Sequence, residues 1–190
     1  ATAGLIAWPG DIDATLTRWK EHFTDRDGDE HVGVGGLPSA IRAGIGLAAS
    51  GFPLFAADTG GYRESPPNKE TFMRWVEQSA LMPVMQTGDS SSQPPWVFTA
   101  QNGRDAEALD TYRTYARLHL RLFPLVWTLM SDPQALPVVR AFGLQFPELN
   151  QHPEDQYLLG DALLVAPVET AGATSRTIVA PPGRWFDFDT

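Results

Sequence analysis

Gly51-Phe52-Pro53-Leu54-Phe55-Ala56-Ala57-Asp58-Thr59-Gly60-Gly61-Tyr62 is a short apolar run that ends in a carboxylate followed by two glycines. A buried strand that delivers an Asp to a tight loop has this form. The apolar run suits a strand covered on both faces, and the glycines let the backbone turn or let another group come close. A carboxylate at the C-terminal end of a barrel strand lies where the loops of that fold build their sites. Leu5-Ile6-Ala7-Trp8-Pro9-Gly10-Asp11 is a second unit of the same kind. Two such strand ends within sixty residues point to a parallel barrel.

The elements around them fit that reading. Working outward, residues 4–8 read as a buried strand broken by Pro9-Gly10. Ile12 to Phe23 has helical spacing, with Leu16, Trp19 and Phe23 near one face and Asp or Thr available as a cap. Residues 24–36 are polar and Gly-rich and read as an exposed loop. Its Asp25, Asp27, Asp29 and Glu30 faintly suggest calcium, but the twelve-residue spacing and the terminal bidentate Glu are missing, so a solvated loop is the better reading. Leu37 to Ser50 reads as a helix, 52–57 as a strand, 58–68 as a loop, 69–80 as a helix, 81–85 as a short strand and 86–96 as a loop. Asp105 to Met130 carries the strongest helical period, with Pro124 expected to kink or restart it. Alternating strands and helices argue for a parallel sheet, and short strands ending in loops argue for a barrel.

From Pro133 the texture changes. Runs 137–142, 161–168 and 177–180 are short and β-rich, separated by Pro, Gly and Asn, as in antiparallel structure. The expected division is therefore 1–132 and 133–190.

Composition excludes several function classes. With 43% hydrophobic and 19% charged residues the chain can bury a core and is not a disordered segment. A net charge of −9 offers no basic stripe, which argues against nucleic acid or an anionic membrane as partner. There is no cysteine, hence no disulfide or thiolate chemistry. No apolar run approaches the roughly 20 residues of a membrane helix. His22, His31, His119 and His152 show no metal-ligand spacing, so no metal is expected; His119 reads as a packing residue. No G-x-G-x-x-G joins a strand to a helix, no G-x-S-x-G is present, and no cofactor is implied. Nothing assigns a compartment or an oligomeric state. The first residues are not a Met start and the last lie within a strand-like alternation, which suggests a piece of a longer protein.

Asp11 stands beside Trp8 on a rigid turn. An apolar setting raises a carboxyl pKa, as a general acid near neutrality requires. Capping a helix that begins near Ile12 is the competing role and, on spacing alone, the better supported one; Asp13 competes for it. Asp58 is either a strand-end turn residue or a carboxylate that accepts hydrogen bonds from paired sugar hydroxyls, with Gly60-Gly61 leaving room for a ring. Trp8, Trp96 and Tyr62 could stack on a sugar face, whereas Trp75 falls on an apolar helical face and reads as core.

The ordered set of these segments resembles glycoside hydrolase family 31, the α-glucosidases and α-xylosidases. Trp8-Pro9-Gly10-Asp11, Ala56 to Tyr62, Phe72-Met73-Arg74-Trp75, Leu81 to Met85, Tyr157 to Val168 and Pro181 to Asp187 carry it. The resemblance implies the last part of a TIM (β/α)8 barrel followed by the beginning of a β-sandwich domain. It implies a retaining mechanism with two carboxylates roughly 5 Å apart, acting on an oligosaccharide or glycoside substrate. Asp11 matches the general acid/base and Asp58 a substrate-binding carboxylate; the nucleophile would lie before residue 1. One departure stands out. Family members commonly carry an Arg and a His after the strand matching 81–85, where this chain has Gln86-Thr87-Gly88-Asp89. Gln86, or Asp89 and Gln93 of the following loop, would take over those contacts. The expected function is hydrolysis of α-linked glucosides or related α-glycosides. The alternatives are an α-xylosidase or another α-glycosidase of the family, and a non-catalytic carbohydrate-binding relative, which an upstream strand-end Asp would exclude.

Overall fold

The computed structural model describes residues 6–25, 27–64, 66–87, 98–131 and 136–188. Three long helices carry it: α1 (Leu37–Ala49), α2 (Lys69–Ala80) and α3 (Ala106–Ser131). Each coincides with an expected helix. α1 places Pro38 in its first turn, where the missing N–H costs nothing. α2 is capped by Asn68, whose side chain accepts from the Thr71 N–H at 2.8 Å. α3 runs through Pro124 as one helix rather than restarting.

The expected parallel strands are present only as single bridges. Ala7 pairs with Phe55 and Asp58 with Gln86, both parallel. Ala7 N–H donates to Leu54 O at 2.9 Å and Ala56 N–H to Ala7 O at 3.1 Å, so the first two expected strands do lie side by side. The third pairs at Gln86, just beyond the run 81–85, whose start is a turn off the end of α2. α1 packs closely on this layer: a Cβ at Gly44 would lie 2.9 Å from the Phe55 ring.

The expected helix over 12–23 does not form. Its backbone is engaged elsewhere: Asp13 N–H donates to Gly35 O, Ala14 N–H to Arg63 O, and Lys20 N–H to Gly33 O, while Thr15 O and Thr17 O accept from Leu37 and Gly36. Lys20, at φ 66°, lies in the left-handed region and could not continue a helix. The expected loop that follows is instead half of an antiparallel hairpin, β1 (His22–Thr24) with β2 (Glu30–Val32), in which Phe23 faces His31.

Beyond residue 135 the antiparallel expectation holds for one small sheet. β3 (Val139–Ala141) pairs with β4 (Tyr157–Leu159), and β4 with β5 (Leu163–Val165). A one-turn helix α4 (Phe142–Gln145) follows β3 directly. The run 177–180 is not a strand. Val179 instead pairs with the Gln156 side chain, donating to Oε1 at 2.9 Å and accepting from Nε2 at 2.7 Å.

One apolar core joins the two halves. Leu37, Ile41 and Ile45 of α1, Phe55, Trp75 of α2 and Leu122 of α3 share it with Val139, Tyr157 and Leu159. Trp75 is core, as expected, and His119 ties α3 to α2 through Ala80 O at 3.1 Å. Polar links reinforce the union. Tyr157 Oη accepts from Gln78 Nε2 and donates to Leu81 O. Arg42 of α1 grips buried Glu169 through both terminal guanidinium nitrogens, at 2.8 and 2.9 Å, and reaches Glu154 through Nε at 2.9 Å. Among the described residues no helix is long and apolar enough to cross a membrane.

Candidate active site

The two carboxylate-bearing turns meet at Asp58. The parallel bridge between Asp58 and Gln86, with Thr59 N–H donating to Gln86 O at 2.9 Å, sets these two side chains next to each other. Gln86 Nε2 donates to Asp58 Oδ1 at 3.3 Å. The Trp8 side chain, whose only donor is its indole N–H, lies near enough to the Asp58 carboxylate to favour its charged form. Asp11 is near enough for its charge to act on Asp58. Four of the residues singled out from the sequence therefore converge: Trp8, Asp11, Asp58 and Gln86. Trp96, together with Asp89 and Gln93, lies outside the described residues.

Asp58 is 7% exposed. Burial pushes its carboxyl above the ordinary range, and the like charge of Asp11 acts in the same direction; the donors Gln86 and Trp8 pull it back down. Asp11 is exposed and Trp8 is 38% exposed. The apolar enclosure expected around Asp11 is thus found around Asp58, and the indole acts on Asp58. No helix begins at Ile12, so neither Asp11 nor Asp13 caps one.

Asp13 has a different task. It is fully buried, its Oδ2 accepts from the Gly35 N–H at 3.0 Å, and its Oδ1 lies 3.7 Å from Arg63 Nε. It fastens the glycine-rich turn 33–36 and the loop after Asp58 to the segment that carries Asp11. The expectation that Gly60-Gly61 opens room for a ring needs correction at Gly61. Its φ is +81°, and a Cβ there would lie 2.5 Å from Ala14 Cα and 2.6 Å from Asp13 O. The glycine admits the neighbouring backbone. That contact joins residues 48 positions apart, and no local spacing signals it.

A buried carboxylate that accepts from Gln86, with a second, solvent-facing carboxylate near enough to act on it, can grip hydroxyl groups and exchange a proton with a group bound between them. Comparisons with known proteins identify the family. The model of the glycosyl hydrolases family 31 TIM-barrel domain matches residues 7–129, and that of the family 31 C-terminal domain matches residues 135–190. An isomaltosyltransferase of Sporosarcina globispora is 30% identical over 200 residues, covering 99% of this chain and 17% of the relative. A 1,3-alpha-isomaltosidase of Kribbella flavida is 31% identical over 198 residues, covering 96% and 24%. The cycloalternan-forming enzyme of Listeria monocytogenes, solved with a pentasaccharide substrate, superposes with a TM-score of 0.77 at 28% identity, covering 96% of this chain and 16% of that one. The chain spans a quarter or less of the length of these proteins. With family models matched along almost its whole length, the chain belongs to glycoside hydrolase family 31.

Proposed function

We propose that this chain is the acid/base-bearing and sugar-gripping part of a retaining α-glycosidase acting on α-linked glucosides or related α-glycosides. The convergence of Trp8, Asp11 and Gln86 on Asp58 carries the reading. Asp11 donates a proton to the leaving oxygen and then takes one from the attacking water. Asp58 accepts hydrogen bonds from hydroxyls of the bound sugar, held in direction by Gln86. Gln86 supplies a neutral donor where the family commonly places an Arg and a His, and Trp96 is the further stacking candidate. The nucleophile comes from a barrel strand outside this chain. In this reading 1–132 forms the last part of a (β/α)8 barrel and 133–190 the start of a β-sandwich. The parallel bridges before residue 90 and the antiparallel sheet after residue 135 support the division. Among α-glucosides, oligosaccharides with isomaltosyl units rank first for assay, because relatives named for isomaltosyl chemistry match over nearly the whole chain.

The test is a leaving-group series on the full-length enzyme. Asp11→Asn should depress hydrolysis of an unactivated disaccharide by the roughly 10²–10⁴-fold that a positioned acid supplies. An aryl glycoside that leaves without protonation should lose far less at the glycosylation step. Equal losses on both substrates would remove Asp11 from the acid role.

A further inference from the structure

The β1–β2 hairpin brings together three donors that the catalytic reading leaves unused. Asp25 follows β1, His31 sits in β2, and Glu64 lies six residues after Asp58 in the neighbouring loop. Asp25, His31 and Glu64 each present one ligand atom, all within 4.8 Å of one another. His31 Nε2 is 2.9 Å from Asp25 Oδ2 and 3.9 Å from Glu64 Oε2. Donors bound at about 2.0–2.2 Å to one ion in tetrahedral or octahedral array stand about 3 to 3.5 Å apart, so small side-chain rotations suffice.

The donors are also held in direction. Asp25 Oδ1 accepts from the backbone N–H groups of Asp27 and Asp29, at 2.9 and 2.8 Å, which leaves Oδ2 turned to His31. The imidazole plane is fixed by stacking on Phe23, with ring centroids 5.4 Å apart. The side chains of His31, Asp25 and Glu64 are 30%, 11% and 25% exposed, so an ion can reach them from solvent while much of its surroundings is protein. An imidazole with two carboxylates is a donor set for first-row transition ions; calcium and magnesium favour oxygen alone.

We propose that Asp25, His31 and Glu64 form a binding site for a divalent transition ion, zinc being the probe of choice, which fastens the β1–β2 hairpin to the loop that carries Asp58. This stands independently of the glycosidase reading. The sequence hints only at Asp25, in the loop that faintly suggests calcium; His31 and Glu64 stand 33 positions apart and fit no local ligand spacing.

Titration calorimetry of the full-length protein with zinc chloride tests it, alongside His31→Gln and Glu64→Gln. The expected result is one site per chain, insensitive to excess calcium. Each variant should weaken it at least tenfold, no less than outer-shell changes do. Glu64→Gln guards against loss of the hairpin, since Glu64 touches the pair only at 3.9 Å. In the unsubstituted protein, zinc should shift the His31 ring resonances. Absence of zinc binding, zinc affinity unchanged in Glu64→Gln, or binding that leaves the His31 resonances in place would each overturn the site.

Discussion

At the scale of single residues, the informative side chain is Asp58. Its folded carboxyl pKa lies above the ordinary value of 3.8, through burial first and the charge of Asp11 next. The sign of the linkage follows. The folded state binds the Asp58 proton more tightly than the unfolded chain does, so this group withdraws stability as pH rises from 3.8 through the folded pKa, and the deficit then stays constant. Asp58→Asn removes the charge while keeping an acceptor for Gln86. The variant should therefore melt at a higher temperature than the parent at pH 7, and the gain should shrink on acidification and vanish below the ordinary aspartate value. A gain that persisted at pH 3 would mean that relief of the buried charge is not its cause. The same substitution should lower kcat/KM on α-glucosides by roughly 10- to 100-fold, the worth of hydrogen bonds to a charged acceptor. A stabilised but impaired variant would show Asp58 to be retained for binding at the expense of the fold.

At the scale of elements, two glycines with nearly equal φ should respond unequally to a methyl group. Gly51 closes α1 at φ +88° with nothing within 4 Å of its prospective Cβ, whereas Gly61, at φ +81°, would meet Ala14 and Asp13. Gly51→Ala should cost about 1–2 kcal/mol, the left-handed penalty alone. Gly61→Ala should cost on the order of 3 kcal/mol, because overpacking adds to strain; urea unfolding of both variants makes the comparison. The same contrast explains what could be read from the sequence. α1, α2 and α3 were legible because their apolar faces repeat at three and four, and packing agrees with local preference. The strands around Ala7 and Phe55 were legible as apolar runs, although pairing contracts to single bridges, and the third bridge falls at Gln86, which the sequence reads as the start of a loop. Residues 12–23 misled because Ile12, Leu16, Trp19 and Phe23 have helical spacing. Thr15 and Thr17 form helices poorly, and the backbone there finds its partners in 33–37 and 63. Trp8, Asp11 and Asp58 were legible because each stands at a chain break that Pro or Gly announces. The roles of Asp13 and Gly61, made by contacts far apart in sequence, were not.

At the scale of the whole molecule, the outer face of α3 decides how the chain behaves alone. Leu120, Phe123, Trp127 and Met130 follow one helical stripe and are 71%, 56%, 60% and 46% exposed. α3 is anchored from its other side by Leu118, Leu122 and Val126, so the stripe cannot turn inward without giving up that contact. Fully burying one such side chain is worth about 1.5–3 kcal/mol, and four in a row make association favourable whenever another apolar surface is at hand. Three quarters or more of each of the matched relatives lies outside the part that this chain matches, and segments of that extent could cover the stripe. The 190 residues expressed alone have only one another. They should self-associate at micromolar concentration and bind a hydrophobic dye. Replacing Leu120 and Trp127 together by Lys should restore a monomer without loss of helix content, since neither side chain belongs to the core. Light scattering and circular dichroism on the two proteins make the comparison. Neither should turn over an aryl α-glucoside, because in the proposed reading the nucleophile lies outside these residues. A monodisperse parent chain would mean that the stripe is too dispersed to drive association, and robust turnover would place a nucleophile within these residues.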